Sequence, residues 1–100
     1  MQLDIESKTV RRSYSICSAP HEKLLQVGVK EVKYGVFSSY VNKKLKAGDK
    51  IRVGGPEGRF TFNAKEKQLP IVAIAAGSGI TPIMSILKSF LNSDSDTSFT

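Results

Sequence analysis

One hundred residues can hold one small domain with a modest core and exclude two complete domains. With 40% hydrophobic and 24% charged residues, the composition is that of an ordinary soluble chain and gives no ground for whole-chain disorder. A formal charge of +6, from 15 basic and 9 acidic side chains, favours an anionic ligand or partner: a phosphate-bearing cofactor, an acidic protein or nucleic acid.

The lone Cys17 excludes an internal disulfide, leaves a metal–cysteine cluster without ligands and suits a reducing compartment. His21, beside Pro20, reads as a loop residue. No signal peptide is visible at the N-terminus. Residues 70–91 are interrupted by Gly77, Ser78, Gly79 and Lys88, which argues against a membrane span, so a cytoplasmic protein is expected.

In chain order, residues 2–6 alternate with the period of a strand and residues 7–9 look like a turn. A hairpin partner over 10–18 places Val10, Arg12, Tyr14 and Ile16 on one side. Arg12 beside Tyr14 suits a phosphate and a flat ring, although an edge strand kept soluble by two arginines has the same pattern. A third strand over 24–32 alternates Leu25, Val27 and Val29 against Gln26, Gly28 and Lys30, and Gly28 marks a bulge or a close approach.

The period then changes. Tyr34 and Gly35 turn the chain, Ser38 can cap, and 39–46 reads as a short helix with Phe37, Val41 and Leu45 inward. Its start is a possible anion site, while Lys43, Lys44 and Lys46 suit its C-terminal end as a solvated basic cluster. Strands over 50–54, with Ile51 and Val53 inward, and 59–62 flank a turn at 55–58.

Residues 63–68 read as a linker, and a domain boundary is expected between Phe62 and Leu69, giving units 1–65 and 66–100. Residues 71–75 form an apolar strand, and Ala76-Gly77-Ser78-Gly79 a turn. A helix follows with Thr81 as N-cap, Pro82 at its first position, and Ile83, Ile86, Leu87, Phe90 and Leu91 on one face. Strand, glycine turn and helix start make a phosphate or dinucleotide site, yet Pro82 stands where a full G-x-G-x-x-G would carry its third glycine. A tight strand-to-helix connection has the same local pattern. Residues 93–98 lead to Phe99, which could open another strand.

One parallel strand has nothing to pair with, and five short strands leave a poorly closed barrel with open edges. The sequence is therefore expected to be a piece of a longer protein or to assemble with another copy through those edges.

Four pieces line up in order: Arg12-Ser13-Tyr14-Ser15; Val29-Lys30 with Gly35 and Ser38; Gly55-Pro56-Glu57-Gly58-Arg59-Phe60; and Gly77-Ser78-Gly79-Ile80-Thr81-Pro82. Together they resemble the ferredoxin–NADP reductase superfamily, most of all its oxygenase reductases of the phenylacetyl-CoA (phenylacetate degradation) group. The resemblance implies a mainly β chain with some α: an incomplete antiparallel Greek-key FAD-binding barrel, then the first strand and helix of an α/β nucleotide-binding domain. It implies FAD and NAD(P)H as cofactors, with electrons passing to an iron-sulfur domain or ferredoxin-like acceptor and an oxygenase.

By the same resemblance Arg12 would hold the FAD pyrophosphate. Tyr14 would pack on the isoalloxazine ring, and Ser15 would bond near its reactive nitrogen, making these two the catalytic pair. Val29 and Lys30 would lie along the ribityl chain, and Gly35, Val36, Phe37 and Ser38 would cradle the pyrophosphate. Gly77, Gly79, Thr81 and Pro82 would shape the nicotinamide cleft. No cysteine cluster is present for an iron-sulfur centre, and no metal ligands are expected. Family members carry about two further strands before Leu3 and most of the nucleotide domain after Thr100. The chain would thus derive from a flavin-dependent NAD(P)H reductase without completing turnover alone. Two rivals remain: a flavin-binding or inert truncated module, and a small basic nucleic-acid-binding barrel using Tyr14, Tyr34, Phe37 and Tyr40.

Overall fold

The computed structural model describes residues 1–62 and 70–93. The expected linker at 63–68 and the strand at Phe99 lie outside the described residues. The elements are strands β1 (Gln2–Ile5) and β2 (Lys8–Arg11), helix α1 (Val36–Lys43), a 3-10 turn (Gly77–Gly79) and helix α2 (Ile80–Ser93). The chain divides into two compact units, one made of Met1–Tyr14 and Gly28–Glu57, the other of Ser15–Val27 and Gly58–Thr100.

In the first unit β1 and β2 pair antiparallel, Leu3 opposite Val10 and Ile5 opposite Lys8. The turn between them is tighter than the expected 7–9: Glu6 and Ser7 sit at φ 49° and 64°. Two consecutive positive φ values give a hairpin the twist of its strands, and here residues other than glycine adopt them. β1 alternates as expected, burying Leu3 and Ile5. These two and Phe37, which is 1% exposed, form the core, with Met1, Val10, Tyr14, Tyr40, Val41, Leu45 and Ile51 packed around it.

α1 begins three residues earlier than expected, with Gly35 and not Ser38 at its N-cap. Phe37, Val41 and Leu45 face the core as the spacing implied. The expected strand over 50–54 makes only a single bridge, Arg52 to Gln2, and Val53 is exposed.

In the second unit the expected third strand is likewise reduced to one bridge, Ile16 to Val27, and Leu24 and Leu25 are exposed. Residues 71–75 form no ladder among the described residues; Val72 and Ile74 are 83% and 87% exposed. An apolar run becomes a strand only when a neighbour supplies its hydrogen bonds. α2 starts at Ile80, one residue before the expected cap, because the 3-10 turn runs straight into it: Ile80 is already helical at φ −65°, ψ −30°. Thr81 therefore sits inside the helix, its hydroxyl donating back to the Ser78 carbonyl at 2.9 Å. Pro82 fits the first turn, where its missing N–H breaks no bond.

α2 is tied to the loop 18–22 by polar contacts. The Ser85 hydroxyl donates to the Ser18 carbonyl at 2.6 Å, and Lys88 lies 3.2 Å from the Glu22 carboxylate. Phe90 meets Phe62 edge-on with ring centroids 5.6 Å apart. Among the described residues no helix is long and apolar enough to cross a membrane.

Candidate functional site

The residues singled out in the sequence fall in both units. Arg12, Tyr14, Val29, Lys30, Gly35, Val36, Phe37 and Ser38 belong to the first; Ser15, Gly77, Gly79, Thr81 and Pro82 belong to the second.

In the first unit the start of α1 is the organising feature. The Gly35 N–H donates to the Val32 carbonyl at 2.8 Å, and the Ser39 N–H donates to the Gly35 carbonyl at 3.0 Å, opening the helix. The N–H groups of Val36, Phe37 and Ser38 precede the first intrahelical bond and so have no acceptor within the helix. No side chain caps this end and its first turn holds no acidic residue. Those groups and the helix dipole together favour an anion.

Gly35 is required there by close packing. A Cβ would collide with the Ser38 hydroxyl and stand 3.0 Å from the Val32 carbonyl oxygen. Ser38 is buried, and its hydroxyl accepts the Val32 N–H at 3.1 Å. The preceding residue, Tyr34, lies at φ 64° and is 89% exposed, with the Lys33 ammonium 5.1 Å from its ring centroid.

Tyr14 is half-buried, its ring 5.6 Å from that of Phe37 and tilted 31° to it. The second residue of α1 thus seats the tyrosine of the R-x-Y-S motif. Two residues earlier, the backbone of Arg12 is pinned to the chain terminus: its N–H donates to the Met1 carbonyl at 2.9 Å, and the Met1 ammonium donates to the Arg12 carbonyl at 2.8 Å. Its exposed guanidinium donates to the Arg11 carbonyl at 2.7 Å, and no carboxylate pairs with it among the described residues.

Val29 is half-buried and Lys30 exposed. Residues 29–32 are strapped to α1 by two polar residues that the sequence reading passed over. Asn42 Nδ2 donates to the Val29 carbonyl at 3.2 Å and the Ser38 carbonyl at 2.8 Å. Glu31 accepts from Lys43 Nζ at 2.8 Å and from the Ser39 hydroxyl at 3.1 Å. The hydrogen bond from Lys43, then that from Ser39, holds the Glu31 carboxyl below the usual carboxylate range against a smaller opposing effect of burial. The signal available was spacing: Asn42 lies one helical turn beyond Ser38, on the same face.

In the second unit Ser15 is exposed, Gly77 adopts φ 56° and the Gly79 N–H donates to the Ala76 carbonyl at 3.1 Å. The Glu22 carboxyl is lowered chiefly by the Ala19 N–H, which donates to it at 2.6 Å, and then by Lys88.

The sequence profile of the oxidoreductase FAD-binding domain family matches residues 1–62. The chain belongs to this family. FAD is the cofactor of the oxidoreductase FAD-binding domain, and the resemblance to ferredoxin–NADP reductases read from the motifs agrees with that membership. Curated relatives include a subunit of the 1,2-phenylacetyl-CoA epoxidase of Escherichia coli (strain K12), 34% identical over all of this chain and 28% of its own length. A flavohemoprotein of Bacillus thuringiensis subsp. konkukian (strain 97-27) is 36% identical over 95% of this chain and 25% of its own. The CDP-6-deoxy-L-threo-D-glycero-4-hexulose-3-dehydrase reductase of Yersinia pestis is 37% identical over 90% of this chain and 27% of its own. The chain thus spans about a quarter of the length of these relatives. No solved structure matches.

Proposed function

We propose that the chain is the flavin-holding part of an FAD-dependent NAD(P)H oxidoreductase, with FAD seated on the first unit. The observation that carries this is the start of α1: an uncapped helix end whose entry must be glycine, with the tyrosine of an R-x-Y-S motif packed on its second residue, in a chain of an FAD-binding family. These residues fit the group. The N–H groups of Val36, Phe37 and Ser38 and the Arg12 guanidinium suit the pyrophosphate, and the half-buried Tyr14 ring offers a flat face to the isoalloxazine. Val29 and Lys30 would run beside the ribityl chain.

A bound flavin supplies acceptance of a hydride from NAD(P)H and release of electrons one at a time. The part of this chain is to bind and orient it. In the second unit Gly77, Gly79, Thr81 and Pro82 would form the first wall of a nicotinamide site.

We read residues 1–65 as part of an antiparallel Greek-key FAD barrel and 66–100 as the opening strand and helix of an α/β nucleotide-binding domain. An epoxidase component and a dehydrase reductase among the relatives support an electron-accepting partner, with an iron-sulfur domain and an oxygenase as the proposed path. The lone Cys17 suits work in the cytoplasm. Equilibrium dialysis of the 100-residue chain against FAD, FMN and riboflavin tests the seat. FAD is expected to bind most tightly, and equal affinity for all three would remove the pyrophosphate from it. NADH-dependent dye reduction at enzymatic rates would show that the chain also completes turnover, against the expectation of binding alone.

A further inference from the structure

We infer that Asn42 is a positioning residue for the FAD pyrophosphate, an inference that rests on the flavin reading above. The anion-binding end of α1 is useful only if the chain entering it is held still, and that entering chain is the strap of residues 29–32 followed by Gly35. Side chains hold the strap against α1. The Ser38 hydroxyl accepts the Val32 N–H, Glu31 reaches Ser39 and Lys43, and Asn42 donates to Val29. The Glu31 contacts join exposed side chains and are open to salt and acid.

Asn42 differs in kind. Its one NH2 group bridges two backbone carbonyls, that of Val29 in the strap and that of Ser38 in the first turn of α1. It thereby fixes backbone to backbone across the cradle without using a charge. Ser38 is the residue whose hydroxyl abuts Gly35, so the Asn42 bridge, the Ser38 hydroxyl and the glycine entry form one connected unit. Asn42 acts by keeping the Val36, Phe37 and Ser38 N–H groups in one arrangement before a phosphate arrives, which spares the ordering otherwise required on binding.

The test is Asn42→Asp in the 100-residue chain, an isosteric change whose carboxylate cannot donate to either carbonyl. Two readouts are needed. Without ligand, amide hydrogen exchange at Val32 and Gly35 is expected to speed up about tenfold while the β1–β2 hairpin amides keep their rates. With ligand, FAD is expected to bind about tenfold more weakly while riboflavin affinity changes less than twofold, the loss corresponding to about one hydrogen bond. Should the hairpin amides also lose protection, Asn42→Ala, which removes both donors without adding charge, carries the same comparison. Unchanged exchange at Val32 and Gly35, or equal losses for FAD and riboflavin, overturns the inference while leaving the flavin reading in place. Failure of the unaltered chain to bind FAD overturns the flavin reading itself, and the role of Asn42 with it.

Discussion

At the scale of single residues, Arg12 and Gly35 carry opposite kinds of burden. Arg12 contributes a charge: its backbone is pinned to Met1 while its guanidinium is exposed and pairs with no described carboxylate. Arg12→Ala is expected to weaken FAD about tenfold or more, since a charge-assisted hydrogen bond is worth about 1.5–3 kcal/mol, and to leave riboflavin unaffected. Paired titrations with the two flavins check this, and equal losses would show that Arg12 does not touch the pyrophosphate. Gly35 contributes an absence. A methyl group there meets the Ser38 hydroxyl and the Val32 carbonyl together, so Gly35→Ala is expected to destabilise the first unit by about 1–3 kcal/mol in urea unfolding. Unchanged stability would mean that the strap yields easily, which its contacts with Asn42 and Ser38 argue against.

Among the elements, α1 and its strap should respond to acid. The Glu31 carboxyl has a lowered folded pKa, so its contribution is fully present above the unfolded value near 4.5 and is lost as pH falls through the folded value. An unfolding midpoint followed downward from about pH 5 should therefore drop less steeply in Glu31→Gln than in the parent chain, and parallel curves would rule out a role for the Lys43–Glu31 pair. How far these elements were legible varied with the source of their stability. β1 and the inward face of α1 could be read because Leu3, Ile5, Phe37, Val41 and Leu45 repeat with the period of their own element. The start of α1 was misplaced by three residues because Ser38 is a fine cap by type, yet its hydroxyl accepts the Val32 N–H, a contact no local pattern contains. The strands expected over 24–32, 50–54 and 71–75 have suitable alternation or apolarity, but a ladder depends on a neighbour, and they show single bridges or no pairing among the described residues. Of the site, the motif residues Arg12, Tyr14 and Gly35 stood out by type and spacing. Asn42 and Glu31 did not, because their roles arise only once helix and strap are side by side.

Over the whole molecule the charge of +6 is unevenly shared: the first unit holds ten basic side chains and five acidic ones. FAD, an anion, should therefore bind more weakly as salt rises from 0.1 to 1 M and the screening length contracts from about 10 to about 3 Å, whereas riboflavin should not. Dialysis across that range checks it, and identical salt curves would deny the charge any part in binding. Salt-sensitive capture of single-stranded nucleic acid by a chain with no flavin affinity would instead favour a basic nucleic-acid-binding barrel. The measurement to make first is a titration of the 100-residue chain with FAD, followed by flavin fluorescence and visible absorption alongside solution mass. Saturable, one-to-one quenching by a folded chain is the expected result, and it would place the flavin on the unit that holds Tyr14 and α1 once Arg12→Ala and Asn42→Asp reduce it. A folded chain whose addition leaves the flavin spectrum and fluorescence unchanged would contradict the proposal that these residues suffice to seat FAD.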